Sequence, residues 1–219
     1  MRWIDATSLV AAGFLALGAE APLPSADAAL AELKAGNARH VAKTYQRPHQ
    51  TAARQHALES GQTPHSTILT CADSRVPPEI IFDKGLGDIF DVRVAGNVAG
   101  DDEIASIEYA AEHLHTPLVV VMGHSHCGAV SAAVEGGTLP GKLPDLMAAI
   151  RPAVDQSAQE PGDRLANAVR DNVSLVVQQL LAAKPVLAEL AESGKLRVVG
   201  AVYSLETGKI EWLPAAAHH

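Results

Sequence analysis

A chain of 219 residues, 47% apolar and 19% charged with few aromatics, is long enough for one fully packed domain or at most two small ones. Its formal net charge of -8 weighs against a nucleic-acid partner, which requires clustered Lys and Arg. No run of 18 or more uninterrupted apolar residues occurs, so a membrane-spanning helix is not expected.

Residues 1–24 differ in character from the remainder of the chain. The stretch 8–17, Ser-Leu-Val-Ala-Ala-Gly-Phe-Leu-Ala-Leu, has the character of a secretory signal's apolar centre, and Ala19-Glu-Ala21 has its small-residue cleavage pattern. That reading would place the protein in the periplasm or outside the cell. The charged flank is weak, because Arg2 is offset by Asp5, and a helix docking on a partner subunit of a cytoplasmic protein fits the same residues. After the Pro22-Leu-Pro24 break, Ser25 is placed to cap a helix running to about residue 41, with Ala29, Leu30, Leu33 and Ala38 at helical spacing and Asp27 in the first turn. A second, polar helix fits residues 49–60, ended by Gly61. A strand over 67–70 comes next, and Pro77-Pro78 opens a short helix. Gly85 and Gly87 mark a turn before a strand over 89–94.

A helix over about 102–115 precedes Pro117 and the most apolar strand, 118–122. Residues 127–135 read as a helix ended by Gly136-Gly137, and 138–162 as a surface connection around a helix near 143–154. Two further helices, 165–183 and 185–192, lead to a final pair of strands, 196–203 and 210–213, joined around Glu206-Thr-Gly208. Apolar strands alternating with helices predict an α/β fold: a mostly parallel central sheet of four strands plus an antiparallel edge strand, flanked by helices. The domain expected to carry the chemistry is 25–214. Residues 215–219, Ala-Ala-Ala-His-His, read as a linker with part of a purification tag, so their histidines are set aside.

The only two cysteines lie in Cys71-Ala-Asp-Ser-Arg75 and Gly123-His-Ser-His-Cys-Gly128, each directly after an apolar strand. Ligands of open α/β sheets gather at the carboxyl ends of strands, so both segments are expected at one sheet edge. Two thiolates and one imidazole there would give the ligand count of a catalytic zinc with one position open. A disulfide or two inert core thiols are the blander alternatives, but a chain of this size needs no covalent staple. Asp73 and Arg75 come after Cys71 at a spacing that lets the guanidinium hold the carboxylate ionised beside the metal. Without a metal, the same two residues would be a plain structural ion pair.

Cys71-Ala-Asp-Ser-Arg-Val76 and Gly123-His-Ser-His-Cys-Gly128 resemble the two signature segments of the β-class carbonic anhydrases. The resemblance runs from about Ala28 to Leu213 and takes in Leu33-Lys-Ala-Gly-Asn37, Val92-Arg-Val-Ala-Gly-Asn97 and Ile107-Glu-Tyr109. It implies one Zn2+ per chain on Cys71, His124 and Cys127, with Asp73 and Arg75 as the adjoining catalytic dyad. It also implies a homodimer, or a dimer of dimers, with the active site at the dimer interface. Gln62, Phe90 and Tyr109 stand where plant-type members carry substrate-pocket residues, and Gly128 offers a backbone N–H to the same pocket. Ile68 replaces the Trp that helps build a non-catalytic anion pocket in bicarbonate-inhibited members, although Arg93 and Tyr203 match other parts of that pocket. The implied form is therefore the open, plant-like one.

The implied activity is that of a lyase: reversible hydration of CO2 to bicarbonate by attack of hydroxide generated at zinc. Hydrolysis of carbonyl sulfide or carbon disulfide on the same fold is the alternative, and a cysteine nucleophile at Cys71 activated by His124 is a third reading. Several residues have plainer readings. Gly96-Asn97 is expected to be a simple turn, His126 a solvent-facing side chain rather than a proton shuttle, and His113 and His115 favourable charges at a helix C-terminus.

Overall fold

A computed structural model describes residues 23–214. The proposed signal or docking segment, apart from Leu23 and Pro24, and the tail 215–219 lie outside the described residues. Helix α1 (Ala26–Ala42) starts where Ser25 Oγ accepts the Ala28 N–H at 3.2 Å, and it ends at Lys43 in a left-handed conformation. Its buried face carries Ala29, Leu30, Leu33, Gly36, Asn37 and His40. Helix α2 (Ala52–Ala57) is much shorter than expected: Thr51 caps it at Arg54 N, and His49 turns left-handed to bond Asp88 instead of extending it.

Strand β1 (Ser66–Thr70) leads into the first cysteine segment, after which Pro78 opens helix α3 (Pro78–Ile81). Strand β2 (Ile89–Arg93) is followed by a 3-10 turn (Ala95–Asn97) and helix α4 (Asp101–Glu112). Strand β3 (Leu118–His124) runs two residues further than its apolar stretch, because Gly123 and His124 still pair with the next strand. Helix α5 (Gly128–Glu135) begins with Cys127 as its N-cap. Then come α6 (Leu143–Gln156), α7 (Arg164–Ala182), α8 (Val186–Glu192), β4 (Arg197–Tyr203) and β5 (Ile210–Trp212).

The five strands lie in the order β2-β1-β3-β4-β5; the first four are parallel and β5 is antiparallel to β4. Every residue of β3 is buried, as a central strand covered on both faces requires. One apolar cluster joins Ile68, Val120, Met122 and Ala201 to Leu30 and Leu33 of α1. The other joins Leu69, Val119, Val121 and Val198 to Ile107 of α4, Val176 and Leu180 of α7, and Leu187 of α8. The chain winds outward from β1 to β2, then returns to β3 on the other side of β1. The order therefore reverses between β1 and β3, where the connections leaving two adjacent carboxyl ends part and leave a crevice. Among the described residues no single helix is long and apolar enough to cross a membrane.

Candidate metal centre

That crevice holds both cysteine segments. Cys71 is the residue after β1, His124 is the last residue of β3, and Cys127 precedes α5. Their ligating atoms all lie within 4.8 Å of one another, and all three residues are buried, His124 completely. The cysteines are not joined by a disulfide.

The hydrogen bonds set the donor atoms. His124 Nδ1 lies 2.9 Å from the carbonyl oxygen of Ser125; a carbonyl only accepts, so Nδ1 carries the proton and Nε2 presents its lone pair. Nε2 is buried with no hydrogen-bond partner, an arrangement that disfavours any state in which nothing takes that lone pair. Around Cys71, the Gly96 N–H donates to Sγ at 3.3 Å. Gly96 has φ +71°, and an added Cβ would sit 2.7 Å from Ile150 Cδ1, so this position needs glycine to bring its N–H to the sulfur. The turn expected to be plain thus makes a direct contact with the site.

The two cysteines perturb one another. The hydrogen bond from Cys127 pulls Cys71 down to about 4, with the Gly96 N–H and the Asp73 backbone adding to this against the opposing effect of burial. Cys127 is pushed up in turn by Cys71 and by burial, while the N–H groups of Val130 and Ala129 pull the other way. The pair gives up its first proton readily and holds its second, the behaviour of a dithiol awaiting a cation that replaces both protons. Two sulfurs and an unprotonated imidazole nitrogen form a soft donor set of three, which fits a borderline-soft divalent ion with a position left over.

Asp73 faces this centre with Oδ2 3.9 Å from His124 Nε2. Arg75 grips it three times: its Nε and its backbone N–H each donate to Oδ1 at 2.9 Å, and Nη2 donates to Oδ2 at 2.6 Å. The guanidinium holds the carboxyl well below the usual carboxylate range. Arg93, at the end of β2, donates to the carbonyls of Cys71 (3.1 Å) and Asp73 (2.7 Å), clamping the loop that carries both side chains. Sequence reasoning paired Arg93 with an anion pocket and did not see this clamp, which depends on the strand pairing that sets Arg93 level with Thr70, one residue before Cys71.

Gly128 opens α5 beside Cys127, and an added Cβ there would meet open space. The remaining substrate-pocket candidates lie elsewhere in the chain. Phe90 is level with Thr67 in the sheet register, four residues short of Cys71 and so about 13 Å away along the strand. It packs against Tyr109, ring centroids 6.2 Å apart, and Tyr109 is 48% exposed. Gln62 is exposed in the segment leading into β1, at the opposite end of that strand. His126 is exposed with φ 55°, and its carbonyl accepts from Arg75 Nη2 at 3.4 Å.

Residues 66–210 match the family model described as carbonic anhydrase. The protein named carbonic anhydrase 2 of Mycobacterium tuberculosis is 41% identical over 186 residues, covering 83% of this chain and 90% of its own. The β-carbonic anhydrase CafA of Aspergillus fumigatus superposes with a TM-score of 0.69 at 30% identity, covering 88% of this chain and 92% of that one. One of two tetrameric β-carbonic anhydrases of Sordaria macrospora gives the same TM-score at 26% identity, over 88% of this chain and all of that one. These matches do not favour the carbonyl sulfide or carbon disulfide alternative. A family model spanning residues 66–210 and a relative matched over 90% of its length agree on one assignment: the chain belongs to the β-carbonic anhydrases.

Proposed function

We propose that residues 25–214 form a catalytic unit for the reversible hydration of CO2 to bicarbonate, with zinc held by Cys71, His124 and Cys127. The single observation that carries this reading is the convergence of two thiols and a bare, buried imidazole nitrogen within 4.8 Å at the switch point of the sheet. Zinc bound there would acidify water and so supply a nucleophile near neutral pH.

The chain's own groups do the rest. Asp73 stays ionised because Arg75 holds it, and Oδ2 can accept a hydrogen bond from the attacking oxygen and turn that oxygen's lone pair toward CO2. Arg75 occupies both carboxylate oxygens, which supports the open form of the site, in which Asp73 leaves the remaining coordination position to water. The Gly128 N–H, at the positive end of α5, would stabilise the developing bicarbonate oxygen. Gln62, Phe90 and Tyr109 line the CO2 pocket in a homodimer. Because Phe90 lies about 13 Å from Cys71 along its own sheet, we assign Phe90 and its neighbour Tyr109 to the pocket of the partner subunit.

Metal analysis alongside stopped-flow CO2 hydration tests the proposal. The expected result is one zinc per chain, loss of hydration after chelation and recovery when zinc is restored. Metal-free protein that hydrates CO2 as fast as the loaded enzyme would overturn it.

A further inference from the structure

The orientation of the His124 ring rests on one peptide group, and that group is tied down by the side chain that bears it. Ser125 carries the carbonyl that accepts the His124 Nδ1–H at 2.9 Å. Its N–H donates to the Tyr203 carbonyl at 2.9 Å, and its Oγ accepts the Leu205 N–H, also at 2.9 Å. Ser125 is therefore hooked at two points onto the segment leaving β4, two residues apart, on the strand next to the one that ends in His124.

That anchor is itself braced. Tyr203 is level with His124 in the register, and its hydroxyl meets His40 Nε2 at 3.0 Å; Tyr45 Oη meets His40 Nδ1 at 2.8 Å. Ser204 is held across the β4–β5 turn, its N–H donating to Lys209 O at 2.9 Å and its carbonyl accepting Gly208 N–H at 2.8 Å. The hook thus lands on fixed ground, so rotation of the Ser125 peptide would leave the buried Nδ1–H without its acceptor.

We infer that Ser125 is a positioning residue for the metal-ligating imidazole: its hydroxyl, bonded to the Leu205 N–H, locks the peptide whose carbonyl fixes the His124 tautomer and aims Nε2 at the two thiols. The inference rests on the proposed metal site. Groups that orient a ligating imidazole in this way typically change metal affinity by about 10–100-fold when removed. Alanine at 125 keeps the backbone bonds but orphans the Leu205 N–H and frees the peptide to turn.

The test compares wild type, Ser125→Ala and Ser125→Thr, each stripped of metal, by zinc titration against a chromophoric chelator and by the visible spectrum of the cobalt(II)-loaded protein. The expected result for Ser125→Ala is zinc binding weakened by about 10–100-fold and an altered cobalt spectrum, with Ser125→Thr restoring both. Wild-type affinity and an unchanged cobalt spectrum in Ser125→Ala would overturn the inference. If the alanine variant does not fold, nitrogen-15 NMR of histidine in the zinc-loaded wild type decides. A proton on His124 Nδ1 with the metal on Nε2 is the expected state, and the reverse assignment overturns the inference. Failure of the wild type to bind zinc at all would instead sink the metal-site reading itself.

Discussion

Two carboxylates within one loop and strand of each other meet opposite fates. Asp73 accepts three hydrogen bonds from Arg75 and is held far below the ordinary carboxylate range. Asp91, on β2, is exposed as a residue, yet its carboxyl is pushed up to about 6, first by loss of surrounding water and then by the charge of Glu79, with Arg93 opposing. Arg93 cannot fully compensate, because its guanidinium is committed to the carbonyls of Cys71 and Asp73. The direction of the shift sets the sign. A carboxyl that binds its proton more tightly when folded contributes most below its unfolded value of 3.8, and that contribution is lost as pH rises through about 6. Asn at this position has no proton to lose. Asp91→Asn and wild type are therefore expected to melt alike near pH 3.5. The variant should be more stable at pH 8 by about 1 kcal/mol, a figure discounted for the residue's exposed surface. Thermal denaturation at the two pH values checks this, and an equal gap at both would remove Asp91 from the account.

Helix α1 is seated against α3 by a close backbone contact. An added Cβ at Gly36 would lie 1.8 Å from the Phe82 carbonyl oxygen, so the two backbones touch where only glycine fits. Beside it, Asn37 donates to Ile81 O at 3.3 Å and to Gly208 O at 2.9 Å, and its Oδ1 accepts the Ile210 N–H. The motif Leu33-Lys-Ala-Gly-Asn37 therefore joins α1 to α3 and to the β4–β5 turn. Gly36→Ala is expected to cost about 1–3 kcal/mol and to lower the melting temperature by several degrees. A melting curve identical to wild type would show that α1 can shift at no cost. The elements themselves were legible because apolar runs such as 118–122 alternate with helical patterns, and the thiol and imidazole ligands because they come directly after such runs. What could not be read is what depends on long-range pairing. Helix α2 shrank because His49 found Asp88, 39 residues away, and β3 grew because Gly123 and His124 found Val202 and Tyr203. In the Gly96 N–H on Cys71 and the Leu205 N–H on Ser125 a backbone donor meets a distant side chain, which no local pattern announces.

At the scale of the whole molecule, Phe90 lies about 13 Å from Cys71 along the strand direction. Phe90 of β2 packs against Tyr109; among the described residues β2 is an edge strand with one side unpaired, and Tyr109 is half exposed. A two-fold assembly about that edge would bring one copy's aromatic pair toward the other's metal centre, and each site would then be built from two chains. Mixing inactive variants separates this from a self-contained site. Asp73→Asn removes the charged hydrogen-bond acceptor but keeps Phe90, and is expected to bind zinc normally while losing roughly two orders of magnitude in hydration. Phe90→Ala keeps Asp73 but spoils the pocket wall. If the wall is donated across the interface, a mixed dimer holds one complete site: Asp73 from the Phe90→Ala copy and Phe90 from the Asp73→Asn copy. Subunit exchange at equal amounts makes half the dimers mixed, so hydration should recover to about a quarter of the wild-type rate. If each chain builds its own pocket, the mixture stays as slow as its components, because every Asp73 remains beside an alanine and every Phe90 beside an asparagine.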